Sequence, residues 1–311
     1  MSIEEYRETL IRKLKILNET VWEGRANAPH INQWLENFDE VPTGEGDEQL
    51  HALYLLRHFM YFGDRQIRAL LKALYRDLFK YPIVEQIRKR NADTTDAAFL
   101  LREFDKELQK TRFVGIGNPA ESGTHLLYPF RQVNDLPPEL FIDSTRVVSP
   151  HTFSNQEDEI NRYVFIDDLC GSGEQAEIYT DSFLEKLKAV KPEAYLAYHL
   201  LIATTDGLRR LRENTLFNSV DCVIELDETF KCFSPESRYF QPTSHPINPE
   251  FAEKVCRKYG QRLYPQDPLG GGGAQLLIGF SHNTPDNSLP IFWFDDPPVA
   301  PWTPIFKRYR K

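Results

Sequence analysis

Residues 163–173 read Tyr-Val-Phe-Ile-Asp-Asp-Leu-Cys-Gly-Ser-Gly and gather the residue types best suited to chemistry in the chain. Tyr163, Val164, Phe165 and Ile166 form a short continuous apolar run, the pattern of a parallel strand covered on both faces. Asp167 and Asp168 follow at once. Ligands of open α/β sheets bind beyond the carboxyl ends of the strands, so two acids there can meet sugar hydroxyls or a hydrated metal ion. Gly171, Ser172 and Gly173 allow close approach of backbone to a ligand. Glu174 then opens a helical pattern whose apolar face is Ala176, Tyr179, Phe183, Leu187 and Val190. Amides at the start of such a helix form an anion site suited to phosphate. Carboxylates for hydroxyls, followed by a nest for a terminal phosphate, describe a ribose-5-phosphate cradle.

Other readings share these residues. Gly171-Ser172-Gly173-Glu174-Gln175-Ala176 also spells the dinucleotide fingerprint G-x-G-x-x-A, with Asp206 after the next strand as its ribose acid. That fingerprint begins almost at the strand end, whereas here Asp-Asp-Leu-Cys intervenes. The acids could belong to a nucleotide triphosphatase, but no G-x-x-x-x-G-K-[ST] precedes them. An ordinary strand–turn–helix with capping acids uses the same residue types. Upstream, Gly117-Asn118-Pro119-Ala120-Glu121-Ser122-Gly123-Thr124 forms a second small-residue loop, ahead of a segment ending in Arg131. Ser122, Gly123 and Thr124 could offer amides to a pyrophosphate and Arg131 a clamp. A surface loop without a ligand has the same composition.

The elements that must hold these loops fall into two textures. Apolar residues recur at spacings of three and four over Ile3, Tyr6, Leu10, Leu14, Leu17 and Val21, and again over Ile31, Trp34, Leu35 and Phe38. A loop at 42–47 leads to a buried helix over 50–62, ended by Gly63-Asp64. Helical patterns cover 65–80 and 96–109, and Pro82 calls for a break or kink between them. From Arg112 onward β-rich runs at 113–117, 163–166, 194–203 and 222–226 alternate with helical patterns at 174–190 and 207–214. That alternation predicts a parallel sheet. The expected organisation is an all-helical domain over residues 1–110 and an α/β domain over 111–311 with a C-terminal extension.

Composition sets limits. With 41% hydrophobic residues the chain can pack a core, and no stretch of apolar residues is long enough for a membrane span. Four cysteines, none in a C-x-x-C pair, give neither a disulfide framework nor a zinc ribbon, and a cytoplasmic location is expected. None of the histidines pairs with another at metal-ligand spacing. His199 reads as a packed strand residue, and Asp227-Glu228 as a turn near a strand end. A net charge of −9 argues against a surface that coats nucleic acid everywhere. Locally, Arg65, Arg68, Lys72, Arg76 and Lys80 line one helix face that could contact nucleic acid or an acidic partner; any amphipathic surface helix shows such a stripe.

The acidic strand end and its loop resemble the phosphoribosyl-pyrophosphate signature of type I phosphoribosyltransferases. The resemblance extends to the Trp34-Leu35-Glu36-Asn37-Phe38 helix, the Pro268-Leu269-Gly270-Gly271-Gly272-Gly273 loop, the Asn283-Thr284-Pro285-Asp286-Asn287 turn and Leu289-Pro290-Ile291-Phe292-Trp293. Read without it, the tail is a mobile glycine hinge and two extended segments joined by a turn. The chain is similar to the phosphoribosyltransferase-like proteins of bacterial conflict systems, antiphage and retron-type loci included. That implies a parallel sheet flanked by helices, and a site for phosphoribosyl pyrophosphate or a related nucleotide with Mg²⁺. Asp167 and Asp168 would hold the ribose 2- and 3-hydroxyls and the metal through water or substrate, while Cys170, Gly171, Ser172, Gly173, Glu174 and Gln175 would wrap the 5-phosphate. Gly171 and Ser172 stand where a Thr-Thr pair is usual, and Gln175 where a Thr is usual. The implied activity is glycosyl or phosphoribosyl transfer; a silent module docking a reverse transcriptase or other defence partner is the alternative.

Overall fold

The computed structural model describes residues 2–39, 46–115, 122–142, 159–240, 246–296 and 301–309. In chain order it contains α1 (Ile3–Thr20), α2 (Ala28–Leu35), α3 (Glu48–Arg57), β1 (Met60–Phe62) and α4 (Asp64–Ala73). A π-helical stretch, Leu74–Lys80, leads into α5 (Tyr81–Arg90) and α6 (Ala97–Gln109). Then come β2 (Thr111–Gly115), α7 (Ser122–Val133), β3 (Phe141–Ile142), β4 (Arg162–Cys170), α8 (Glu174–Val190), β5 (Tyr195–Thr204), α9 (Thr205–Asn214) and β6 (Ser219–Leu226). The chain closes with α10 (Pro249–Leu263), β7 (Ile278–Phe280) and α11 (Pro290–Trp293).

Local chemistry accounts for most boundaries. Ser2 and Glu5 form a capping box at α1, with Glu5 N–H donating to Ser2 Oγ at 3.2 Å and Ser2 N–H to Glu5 Oε2 at 2.7 Å. Asn27, Asp47, Asp96 and Asn248 cap α2, α3, α6 and α10 in the same sense. Pro82 does not break the helix. The π-helical stretch before it shifts the ladder, Tyr81 N–H reaching Arg76 O, and Pro82 falls in the first turn of α5, where a missing N–H goes unneeded.

The chain folds as two compact units: residues 1–66 with 227–310, and residues 67–226. The sequence places a boundary at 110 instead. The first unit joins the N-terminal helices to the C-terminal extension. Trp34 stacks on Phe292 with centroids 5.6 Å apart, and its Nε1–H donates to Ile291 O at 2.8 Å. Asn37 exchanges two hydrogen bonds with Thr303. The predicted helix over 50–62 ends early: α3 stops at Arg57, and Met60–Phe62 pairs in parallel with Ile278–Phe280. Leu289 to Trp293 is not extended but turns into α11, and the Gly270 segment is a hydrogen-bonded turn in which Gly271 N–H donates to Asp286 O at 2.7 Å.

The second unit is a five-stranded parallel sheet in the order β3-β2-β4-β5-β6, flanked by helices. One face buries Phe165, Leu184, Leu187, Leu196 and Tyr198 with α8 and α9. On another part of the core Phe79 packs edge-on against Phe113 of β2 at 5.1 Å and against Phe104 of α6 at 6.1 Å. These aromatics explain why the helices of residues 67–109 belong with the sheet: their apolar stripes are spent on it. No helix among the described residues is long and apolar enough to cross a membrane.

Candidate functional site

The strand order reverses between β2 and β4. From β2 the chain passes through α7 to β3 on one side, and from β4 through α8 to β5 on the other. Such a switch point is where open α/β sheets leave a crevice for ligands. Gly115, the last residue of β2, pairs with Ile166 of β4. The two predicted loops therefore leave from the carboxyl ends of neighbouring strands. Gly117 to Glu121 lies outside the described residues, as do the side chains of Ser122, Gly123, Thr124 and Gln175; Ser122, Gly123 and Thr124 form the start of α7.

Asp167 and Asp168 differ from expectation in one respect: they lie within β4, Asp167 pairing with Leu200, because the ladder runs on to Cys170 and Ala203. Asp168 is buried and Asp167 partly exposed. Each carboxylate binds the next amide. Asp167 Oδ1 accepts from Asp168 N–H at 2.9 Å, and Asp168 Oδ1 from Leu169 N–H at 2.7 Å. Asp167 Oδ2 accepts from the hydroxyl of Tyr198 at 3.0 Å. Tyr198 is fully buried beside Phe217, and burial followed by the Asp167 charge pushes its phenol well above the ordinary tyrosine value. It is a donor to Asp167 under all ordinary conditions.

The loop Cys170–Gly173 is built onto the start of α9. Thr204 Oγ1–H donates to Gly171 O at 2.6 Å and its oxygen accepts from Gly207 N–H at 2.9 Å. Gly207 must lack a side chain, since a Cβ there would stand 2.3 Å from Gly171 O and 2.8 Å from Cys170 Sγ. Gly173 holds a left-handed φ of 77° as it caps α8, which glycine adopts without steric cost. No side chain caps α8 from Gly173; Ser172 Oγ stands 3.4 Å from Glu174 N, so the first amides face the loop. Cys170 is no nucleophile. Burial, then Asp167, pushes its thiol up to about 12, although Gly173 N–H favours the thiolate.

The remaining candidates are dispersed. Arg131 stands in the last turn of α7, about 13 Å along the helix axis from Ser122, with its guanidinium 5.5 Å from the Tyr128 ring. The helix thus carries it away from the strand ends. Asp206 pairs with Arg209 at 2.6 Å on the exposed side of α9. Asp227 caps a short turn by accepting from Thr229 N–H at 3.0 Å. His199 is buried in β5, and burial, then the Arg162 charge, brings it down to about 3, so it is a neutral core residue. In the basic stripe Arg65, Arg68, Lys72 and Arg76 are exposed, Arg76 pairs with Asp77, and Lys80 lies 5.3 Å over the Phe104 ring. Sequence reasoning missed Tyr198, Thr204, Gly207 and Arg210. The pairing of β5 with β4 brings Tyr198 and Thr204 to the site, the helix α9 that follows brings Gly207 and Arg210, and no local motif marks them.

A magnesium ion suits the donor set, since this ion is held by one or two carboxylates together with substrate phosphates and retained waters. Among the described residues no group of three or more His, Cys, Asp or Glu side chains forms an all-protein cage. No curated protein matches the chain. The family model PRTase-CE matches residues 31–308, a span that takes in the switch-point sheet, the acid pair in β4 and most of the first unit. With its fold and its match agreeing over nearly the whole sequence, the chain belongs to the PRTase-CE family, a phosphoribosyltransferase-like family.

Proposed function

We propose that the protein binds phosphoribosyl pyrophosphate or a related nucleotide together with Mg²⁺ at the end of β4, and transfers or cleaves a glycosyl bond there. The observation that carries this reading is the unbroken succession of Asp167 and Asp168, the Gly171 loop and the amide end of α8 at the switch point. Asp167 and Asp168 orient the ribose hydroxyls and favour positive charge on the sugar carbon as the bond to the leaving group lengthens. The loop amides hold the terminal phosphate. Asp167 and Asp168 would hold Mg²⁺ through water or substrate, and the ion would supply neutralisation of the pyrophosphate charge. The resemblance to conflict-system proteins supplies the setting: an effector of antiphage defence, with a reverse transcriptase or another defence protein as partner.

One observation favours a second reading, a sensor without turnover. His199 is buried and neutral and Cys170 is a buried, protonated thiol, so neither serves as a general base. Calorimetric titration of phosphoribosyl pyrophosphate with Mg²⁺ into the wild type and Asp167→Asn/Asp168→Asn tests both. Binding lost in the variant supports the site, and release of pyrophosphate makes it an enzyme. Binding without release makes it a sensor, and no binding by the folded wild type refutes both.

A further inference from the structure

The phosphate loop is poor in side-chain donors and rich in negative charge. Gly171 has no hydroxyl, Ser172 Oγ faces Glu174 N, and the first turn of α8 carries Glu174 and Glu177. An anion near charge −2 seated on the α8 amides would meet both carboxylates, a repulsion of the order of the helix-end attraction itself. A cation from outside the loop offsets this. Arg210 of α9 lies directly against Gly173, where an added Cβ would fall 3.5 Å from Arg210 Cβ and Cδ. Its Nε–H donates to Glu177 Oε2 in a short ion pair, with the arginine side chain 39% exposed and the glutamate 19%. The Glu177 hydrogen bond holds its guanidinium above the ordinary arginine value. The helix that carries it is fixed to the loop by Thr204 and Gly207.

We infer that Arg210 is the cation that reads the ligand's terminal phosphate, held in place by Glu177 until the phosphate competes for it. The inference rests on the function proposed above and narrows it: the preferred ligand carries a phosphate monoester at the far end of its ribose. Glu177 orients Arg210 and opposes the anion at once. The two residues therefore act on affinity with opposite sign, which a pair serving only to tie α8 to α9 would not do. An ion pair this exposed contributes little to stability, so single substitutions leave the chain folded.

The test titrates phosphoribosyl pyrophosphate and ribose 5-phosphate, each with Mg²⁺, into the full chain and into Arg210→Gln, Arg210→Lys and Glu177→Gln, with thermal unfolding recorded for each. Arg210→Gln is expected to weaken both ligands about tenfold or more, the scale of a charge-assisted hydrogen bond. Arg210→Lys should recover part of that loss, and Glu177→Gln should tighten binding severalfold. Unchanged affinity in Arg210→Gln, or equal weakening in Arg210→Gln and Glu177→Gln, overturns the inference and leaves the proposed function standing. A wild type that binds neither ligand overturns both.

Discussion

The hydroxyl of Tyr198 lies 3.0 Å from Oδ2 of Asp167, a hydrogen bond between neighbouring strands that ties the first acid of the site to the middle of the hydrophobic core. Tyr198 has 0% exposure, so its hydroxyl cannot turn to bulk water instead.

Tyr198→Phe removes the donor and keeps the ring. The chain should lose about 1–3 kcal/mol of stability, the range for a hydrogen bond to a charged group, read as a lower urea midpoint. In an Asp167→Asn background the same substitution should cost less, because the bond it deletes no longer ends on a charge. Equal costs in the two backgrounds would show that the phenol contributes packing alone.

Gly207→Ala tests how tightly the loop is built onto α9. The new methyl would collide with Gly171 O, a backbone atom that cannot swing aside, so the Cys170–Gly173 loop has to move. A destabilisation of about 1–3 kcal/mol is expected, together with weaker binding of phosphoribosyl pyrophosphate by calorimetry. A variant with wild-type stability and affinity would mean that the loop yields freely.

Acid should weaken the fold through His199. Its folded value of about 3 lies below the unfolded value near 6.5, so the unfolded chain binds the extra proton between them. The contribution is complete above pH 6.5 and is lost as pH falls toward 3, at up to about 1.4 kcal/mol per pH unit. Arg162, on the adjoining strand, adds a like charge to the effect of burial. Urea midpoints measured from pH 7 down to pH 4 should fall less steeply in His199→Gln than in the wild type.

The sequence shows the strand, acids, loop and helix of residues 162–190 clearly because each carries a local signature: a doubly apolar run, two carboxylates, glycines, and a helical stripe. The compact units divide the chain elsewhere than at residue 110 because a change from helical to strand periodicity there says nothing about which surface a helix covers. Phe79 buries itself against Phe113 of β2 and Phe104 packs on Phe79, contacts that no periodicity contains. Met60–Phe62 continues an apolar run and becomes a strand only because Ile278–Phe280 is there to pair with it. Tyr198 and Arg210 likewise acquire their roles from register and helix packing, which arise between segments.

The first unit draws its core from both ends of the chain, and this has a consequence for birth on the ribosome. Trp34 finds its partners Phe292 and Ile291 more than 250 residues later, so the N-terminal helices emerge long before the segment that covers them. Residues 67–226 can close their own sheet in the interval, since all five strands lie within that stretch. Trp22 and Trp34, both 0% exposed in the finished fold, lack part of their native cover, Phe306 and Phe292, during synthesis. A nascent chain of this design is a natural client for holding chaperones, which bind exposed apolar segments until their late partners arrive.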